Sequence, residues 1–140
     1  MMAAAKGRAA EGGQRWTPMR ADVYEALLGQ DRPVTAYQIV ERLSRKTGRD
    51  VKPASVYRSL DALGTLGLAV RIESLNAFTV CRHPNETHQH VFLVCRECGT
   101  ADELADHDVA KRLRVTAGGQ GFRVDRQILE LQGACRSCQT

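Results

Sequence analysis

Two Cys-x-x-Cys pairs constrain how this 140-residue chain can fold more than any other feature. They are Cys95 with Cys98 and Cys135 with Cys138. Two intervening residues let both sulfurs of a pair bind one metal ion from a tight turn, and two pairs supply the four thiolates of a tetrahedral structural zinc site. Because 36 residues separate the pairs, too many for a simple zinc ribbon, we expect a small subdomain that the metal closes at its base.

The alternative interpretation of the cysteines is two redox or disulfide pairs. Residues 1–15 contain Lys6, Arg8 and Arg15 but no long apolar core, so we predict a disordered arm there and no secretory signal. A cytoplasmic location, which we expect, disfavours structural disulfides. No apolar run approaches the roughly 20 residues needed to span a bilayer, and we predict no membrane partner.

Charge is distributed unevenly along the chain. The net charge is +4, but residues 1–72 carry 12 basic and 7 acidic side chains, and residues 73–140 carry 8 and 9. A basic first half joined to a metal-rich second half is typical of nucleic-acid binding controlled by a separate site. A solvated basic face is the alternative.

The first half has the boundary signals of three short helices and a β-hairpin. The helices begin after Thr17, Thr35 and Lys52 and end at Gly29, Gly48 and Gly67. Alternating apolar residues then predict strands over 68–72 and 77–80, with a turn at 74–76. Helices followed by a hairpin predict a winged helix-turn-helix over residues 16–82, with residues 53–66 as its recognition helix.

The predicted recognition helix has a polar outward side. We place there Ser55, Tyr57, Arg58, Ser59 and Asp61. Arginine can bind guanine through two hydrogen bonds in the major groove, and hydroxyl groups can bind phosphates or base edges. An ordinary solvated helix face would look similar, but the basic first half and the predicted wing favour DNA.

The segment between the two halves holds the densest set of metal ligands. It contains Cys81, His83, His88 and His90, and Glu103 follows five residues after Cys98. His88 and His90 would lie on one face of a strand. Cys81 could instead be a small buried apolar residue, and Glu103 a surface carboxylate. We interpret His107 as a surface residue, with an auxiliary metal site as the alternative.

The second half predicts a small α/β unit over residues 83–140. Its elements are a strand at 91–94, a helix at 107–117 and a strand at 122–131. Exposed strand edges commonly pair with a second copy, so we predict a homodimer through residues 90–135. The predicted fold class is therefore α+β: a winged helix-turn-helix DNA-binding domain, then a small α/β dimerisation domain with a structural four-cysteine zinc site.

These motifs together resemble the ferric uptake regulator family over roughly residues 14–140. The resemblance rests on Lys-Pro-Ala-Ser-Val-Tyr-Arg-Ser-Leu at 52–60, Arg-Ile-Glu-Ser at 71–74, Cys81, His88 and both cysteine pairs. Within the family, the chain is most similar to the zinc uptake regulator branch. The resemblance implies a dimeric, metal-dependent repressor that binds double-stranded operator DNA and controls zinc uptake genes.

The resemblance also implies roles for individual residues. Tyr57 and Arg58 would lie in the major groove of the operator, and Tyr37 would match a second DNA-contacting tyrosine. Cys81, His88 and Glu103 match a regulatory zinc site between the two domains, which gives two zinc ions per subunit with the structural one.

One position departs from the pattern, because Val70 replaces a wing histidine. We expect His90 as the fourth ligand, with His83 or water as alternatives. A thiolate beside imidazoles favours zinc over ferrous iron. An iron- or peroxide-responsive regulator of the same family is the alternative function.

We do not expect an enzyme or a small organic substrate. No His-x-Glu occurs in the chain, so the zinc deaminase signature is missing. A four-thiolate site is also closed and leaves no position for a catalytic water. A plain zinc-dependent interaction module is a further alternative.

Overall fold

The computed structural model describes residues 2–82, 91–104 and 107–139. The chain divides into two compact units, Met1–Pro84 and Asn85–Thr140, called here the N-terminal unit and the C-terminal unit. The sequence had placed this division between residues 82 and 83. In the described part of the chain, no helix has both the length and the apolar character that crossing a bilayer requires.

Three helices of the N-terminal unit begin and end at the signals seen in the sequence. They are α2 (Pro18–Leu28), α3 (Ala36–Thr47) and α4 (Pro53–Thr65). Thr35 and Gln38 form a reciprocal capping box, with hydrogen bonds of 2.9 and 3.1 Å. Gly48 ends α3 in the left-handed conformation, with φ of 68°, which glycine adopts without strain. The predicted helices are therefore confirmed.

A further helix, α1 (Met2–Glu11), precedes these three. The prediction of a disordered arm over residues 1–15 is wrong for this segment. Ala5 and Ala9 are 1% and 0% exposed and belong to the apolar core of the N-terminal unit. Alanine is the strongest helix former and its small side chain allows close packing, so a segment with few large apolar residues still forms a docked helix.

The predicted hairpin consists of β1 (Ala69–Ile72) and β2 (Ala77–Val80), which pair antiparallel with Ala69 opposite Val80. A single 3-10 turn at Glu73–Leu75 connects them. The guanidinium of Arg71 donates a 2.8 Å hydrogen bond to Oδ1 of Asn76. Phe78 of β2 also exchanges backbone hydrogen bonds of 2.7 and 2.9 Å with Val34, just before α3. The hairpin is thereby joined to the helices.

The core of the N-terminal unit is contributed by all four helices and the hairpin. Its largest fully buried side chains include Tyr24, Leu27, Ile39, Leu63 and Leu68. Full burial of such a side chain stabilises a fold by about 1.5–3 kcal/mol. Apolar packing therefore makes a large contribution to holding α4 and the hairpin in this unit.

The C-terminal unit contains a three-stranded sheet and one helix among its described residues. The sheet order is β4-β3-β5, with β3 (Val91–Cys95) antiparallel to β4 (Ala101–Glu103) and parallel to β5 (Leu129–Gly133). Parallel neighbours need a crossover connection, and α5 (His107–Gly119) lies in that connection. The predicted helix at 107–117 is confirmed and extends two residues further.

The strand predicted over 122–131 is only partly correct, because β5 begins at Leu129. The backbone N–H of Phe122 instead donates a 3.1 Å hydrogen bond to the carbonyl of Ala117, which ends α5. Gly121, with φ of 74°, reverses the chain there. The alternating apolar pattern over 122–124 therefore belongs to a helix end and a loop. Strand β4 was not predicted.

Candidate metal centre and nucleic-acid interface

Four cysteine sulfurs of the C-terminal unit lie together. The ligand atoms of Cys95, Cys98, Cys135 and Cys138 are all within 4.8 Å of one another. The sulfurs of Cys98 and Cys135 are 3.8 Å apart. A tetrahedral zinc site with zinc–sulfur bonds of about 2.3 Å has sulfur–sulfur edges of about 3.8 Å. The cluster therefore fits zinc in ligand number, ligand type and spacing.

The sheet register brings the two cysteine pairs together. Cys95 ends β3 and lies opposite Gly133, which ends the parallel strand β5. The carboxyl ends of both strands thus lie side by side at the same end of the sheet. Arg96 N–H donates a 2.8 Å hydrogen bond to the Gly133 carbonyl. Tight turns follow each strand: Gly99 N–H bonds to the Cys95 carbonyl, and Cys138 lies in a 3-10 turn.

The four thiols are free and chemically unequal. The backbone N–H of Cys135 donates to the sulfur of Cys95 at 3.3 Å. This bond, with further backbone donors, lowers the pKa of Cys95 to about 6. A hydrogen bond with the Thr100 hydroxyl, 3.2 Å long, is the main cause of a lowered pKa at Cys98. Cys95 is therefore largely a thiolate at neutral pH.

Cys138 behaves in the opposite way. Its proton is shared with the sulfur of Cys135 and with the other neighbouring thiols, and this sharing raises the pKa of Cys138 to about 12. Four thiolates cannot coexist at such distances without a compensating cation. A bound divalent cation would replace the shared proton, because metal binding to cysteine requires the deprotonated form.

Thr100 is a polar contact of this cluster that sequence reasoning missed. Its hydroxyl lies two residues beyond Cys98 and faces the Cys98 sulfur. No spacing rule singles out such a threonine. The only signal available was its position in the turn between β3 and β4, where a hydroxyl can hydrogen-bond nearby groups.

The second predicted metal site is divided between described and undescribed residues. Cys81 is 2% exposed, and its backbone N–H donates a 2.9 Å hydrogen bond to the Leu68 carbonyl. Glu103 is the last residue of β4. The predicted ligands His88 and His90, and the alternative His83, lie outside the described residues, as does the side chain of His107. The regulatory site remains a prediction.

Cys81 has an aromatic neighbour in the N-terminal unit. The pKa of the Tyr24 phenol is raised, mainly by burial and additionally by the charge of the Cys81 thiolate. Trp16 packs edge-on against Tyr24, with ring centroids 6.1 Å apart. Cys81 is thus close enough to Tyr24 of α2 for the charge of its thiolate to act on the phenol.

Helix α4 presents two of the predicted DNA contacts to solvent. Tyr57 is 47% exposed, and Arg58 is exposed with a guanidinium nitrogen 3.5 Å from Oγ of Ser55. Tyr37, at the start of α3, is 69% exposed. These side chains are therefore free to contact a ligand.

One residue of the predicted recognition face is misplaced. Ser59 is only 4% exposed and lies on the buried side of α4 with Val56 and Leu63. At 100° per residue, Ser59 lies about 40° around the helix from Leu63 and about 60° from Val56, so the prediction of an outward-facing Ser59 is wrong. Asp61 is exposed, as predicted.

The surface near α3 and α4 is basic. Its exposed cationic residues are Arg42, Arg45, Lys46, Arg49, Lys52 and Arg58. Lys46 and Lys52 form surface ion pairs of 3.5 and 3.4 Å with Glu25 and Asp50. Such exposed pairs contribute little to stability and break readily. Their cations remain available to neutralise phosphates.

Comparison with known proteins gives one consistent assignment. The profile of the Ferric uptake regulator family matches residues 11–132. The chain is 30% identical over 139 residues to the Zinc uptake regulation protein of Escherichia coli (strain K12). This alignment covers 99% of this chain and 81% of the relative. The match to this relative extends over both cysteine pairs and all of α4, whereas the family profile ends before Cys135 and Cys138.

Two solved structures resemble the fold closely. A zinc uptake regulator complexed with zinc and DNA aligns with a TM-score of 0.91 at 29% identity, covering 98% of this chain and 91% of the other. Holo XcZur aligns with a TM-score of 0.86 at 38% identity, covering 98% and 95%. From the profile match, the sequence identity and the fold, the chain belongs to the ferric uptake regulator family.

Proposed function

We propose that this protein is a zinc-responsive transcriptional repressor, which binds operator DNA as a zinc-loaded homodimer and controls zinc uptake genes in the cytoplasm. One observation carries the proposal: Tyr57 and Arg58 are exposed on a helix of the basic unit, while the following unit gathers four thiols with the spacing of zinc ligands. The similar zinc uptake regulation protein supports zinc as the signal.

In this proposal, the N-terminal unit is a winged helix-turn-helix and α4 is its recognition helix. Arg58 donates to guanine in the major groove, and Tyr57 and Ser55 contact base edges or phosphates. Tyr37 contacts the DNA from the start of α3, where helix N–H groups also favour phosphate. The exposed basic side chains supply the charge that attracts any DNA sequence.

The cysteine cluster is proposed to hold the structural zinc. Cys95, Cys98, Cys135 and Cys138 would bind it, and zinc would supply the cross-link between the ends of β3 and β5. Because all four positions are protein thiolates, the site is closed to substrate. This arrangement supports a structural role and not catalysis.

The regulatory zinc is proposed to bind Cys81, His88, His90 and Glu103. Cys81 belongs to the N-terminal unit and Glu103 to the C-terminal unit, so these ligands would link the DNA-binding and dimerisation domains. Two zinc ions per subunit follow. Zinc raises operator affinity only to the extent that it binds the DNA-competent arrangement more tightly than other arrangements.

The homodimer is proposed to form through the C-terminal unit. Large apolar side chains of α5 and of the sheet are exposed, among them Val115 at 66%, Leu113 at 47% and Leu131 at 59%. Strand β5 is also an edge of the sheet, and open edges with apolar faces commonly pair with another chain. A dimer presents two recognition helices to a two-fold operator.

A ligand substitution tests the regulatory site. The operator is first selected from random duplex DNA with the zinc-loaded protein. Cys81→Ala keeps a small apolar residue in the buried position but removes the thiolate, so we expect a normal melting temperature and a loss of at least tenfold in zinc-dependent operator affinity. Full zinc-dependent binding by this variant would rule out Cys81 as a ligand.

Binding with different metals tests the identity of the signal. Operator affinity is measured with zinc, ferrous iron and manganese added to protein that retains only its structural zinc. We expect activation at the lowest free concentration with zinc. Activation by ferrous iron or manganese alone would establish the iron- or peroxide-responsive alternative.

A pair of arginine and lysine substitutions tests the recognition helix. Arg58→Ala should weaken specific binding by about 1–3 kcal/mol and relax the preference at one base pair. Lys46→Ala, which removes an equal charge from the side of α3 paired with Glu25, is the control and should leave base preference unchanged. Equal effects of both variants on every sequence would contradict the assignment of α4.

A further inference from the structure

We infer that α1 positions the recognition helix, and that Arg8 is the residue through which it acts. The inference rests on the proposed function, because it takes α4 as the helix that contacts operator bases. Apart from Glu11, α1 lies outside residues 11–132 matched by the family profile. The segment is nevertheless a docked helix and not a free arm.

The docking surface of α1 consists of small residues. Ala5 and Ala9 are buried in the same core as Leu63 and Leu66. At Gly12, just beyond α1, an added Cβ would lie 3.1 Å from Cδ2 of Leu66, closer than ordinary van der Waals contact. The end of α1 therefore packs directly against the residue that ends α4.

Arg8 adds a charged hydrogen bond at the same point. Its Nε donates to the backbone carbonyl oxygen of Leu66 at 2.5 Å, and Leu66 is the C-cap of α4. The last carbonyls of a helix lack intrahelical donors and carry the negative end of the helix dipole, so a cation stabilises them. A terminal guanidinium nitrogen of Arg8 also lies 3.4 Å from the position a Cβ would take at Gly67.

The segment after α1 is fixed as well. The backbone N–H of Gln14 donates a 2.8 Å hydrogen bond to the Ala9 carbonyl. Arg20 of α2 donates to the Arg15 carbonyl and to Oε1 of Gln14. Helix α1 is therefore held to α2 through the connecting residues Gln14 and Arg15, and to α4 through Arg8.

This arrangement controls the direction of α4. Tyr57 and Arg58 lie in its first two turns, whereas Leu66 lies at its far end. A small tilt about that end moves both side chains, and base contacts tolerate displacements of only about 0.5 Å. Phosphate contacts depend mainly on charge and tolerate more. Arg8 should therefore affect discrimination between sequences more than general DNA affinity.

The test compares three variants of the full-length, zinc-loaded protein. Affinities for the selected operator and for a scrambled duplex are measured at several salt concentrations. Arg8→Ala should lower the ratio of the two affinities by roughly threefold to tenfold. Lys6→Ala removes an exposed cation from the same helix and should leave the ratio unchanged. Arg8→Lys, which keeps a cationic donor, should restore most of it.

Equal losses on both duplexes for Arg8→Ala and Lys6→Ala would overturn the inference, because charge alone would then explain them. A second variant disrupts the docking of α1 while leaving Arg8 in place. Ala9→Asp buries a charge beneath α1 and should also lower the ratio of operator affinity to scrambled-duplex affinity. An unchanged ratio in this variant, with the Trp16 fluorescence of a folded unit, would equally overturn it. If the unaltered protein fails to discriminate, the proposed function itself is wrong.

Discussion

The two units of this chain bury their apolar side chains to very different extents. The N-terminal unit packs four helices and a hairpin around a continuous core, and its largest exposed aromatic residues are Tyr37 and Tyr57. In the described part of the C-terminal unit, the buried apolar residues are Val91, Phe92, Val94, Cys95 and Ala110. Leu93, Leu113, Val115, Phe122, Ile128 and Leu131 are each at least 40% exposed there.

The two units are therefore stabilised in different ways. The N-terminal unit buries its large aliphatic side chains in one core and leaves Tyr37 and Tyr57 exposed. The described residues of the C-terminal unit form only a small core, and a small domain usually needs a metal or a partner for stability. In the proposed function, zinc at the thiol cluster meets the first of these needs and a second subunit on the exposed apolar surface meets the second.

Removal of the thiol cluster should produce the largest effect, and the two units should respond to it differently. With Cys95→Ser, we expect one zinc fewer per subunit, loss of the C-terminal sheet and loss of operator binding, because structural zinc contributes about 10–16 kcal/mol in small zinc domains. Trp16 is the only tryptophan and packs on Tyr24 in the N-terminal unit. Its fluorescence should report an intact N-terminal unit.

The control for that experiment is Cys81→Ser, which leaves the four-cysteine cluster untouched. Metal analysis and circular dichroism of both variants provide the readout. Simultaneous collapse of the tryptophan signal in Cys95→Ser would contradict the independence of the two units.

A cavity in the N-terminal core should produce the reverse pattern. Leu63 is 0% exposed, so Leu63→Ala should cost about 2–5 kcal/mol of unfolding free energy in that unit. Zinc bound to the cysteine cluster should stay at one equivalent. Denaturant unfolding followed by Trp16, with zinc counted on the same sample, checks this expectation; coupled release of the cluster zinc would contradict it.

A charge on the exposed sheet surface should weaken the dimer. Leu131 is 59% exposed on the edge strand β5, so Leu131→Glu should shift the protein toward monomer by at least tenfold in dissociation constant, about 1.4 kcal/mol. Leu75→Glu, at an exposed leucine of the N-terminal unit, is the matched control. Analytical ultracentrifugation measures both, and an unchanged dimer in Leu131→Glu would place the interface elsewhere.

Acidification should weaken zinc binding to the cysteine cluster. The pKa of Cys138 is raised to about 12 and that of Cys95 is lowered to about 6. At pH 7 the metal-free protein therefore carries a proton on Cys138 that zinc must displace, whereas Cys95 needs no deprotonation. Each such proton changes the zinc affinity about tenfold per pH unit.

The zinc affinity should accordingly fall at least tenfold between pH 8 and pH 7, and more steeply below pH 6, where Cys95 also becomes protonated. Competition with a chelator of known pH dependence measures it. A zinc affinity that does not change with pH would contradict the proposed protonation states.

The sequence was most informative where a single residue determines the local structure. Helix ends are defined by single residues: Thr35 through its cap, and Gly48 and Pro53 through their backbone angles. The spacing of the cysteine pairs likewise predicts that the four sulfurs lie together. The sequence was less informative where packing decides. Helix α1 is docked through Ala5 and Ala9, which pack against core residues far away in the sequence. Ser59 is buried because of the way in which α4 is oriented about its own axis against that core.

The second half was harder to predict for a related reason. Phe122 and Leu131 have the alternation of one strand, but Gly121 and the end of α5 separate them. Both side chains are exposed, so the alternating apolar residues of this segment do not form the core of the unit. Apolar residues that a second chain would cover look the same in the sequence as core residues.

A zinc titration of operator binding, with bound zinc counted on the same sample, shows whether a second zinc ion per subunit controls DNA affinity. Protein that retains one zinc per subunit at the cysteine cluster should bind the selected operator weakly, and affinity should rise as a second equivalent binds. Equal operator affinity before and after the second equivalent would contradict the claim that zinc controls this regulator.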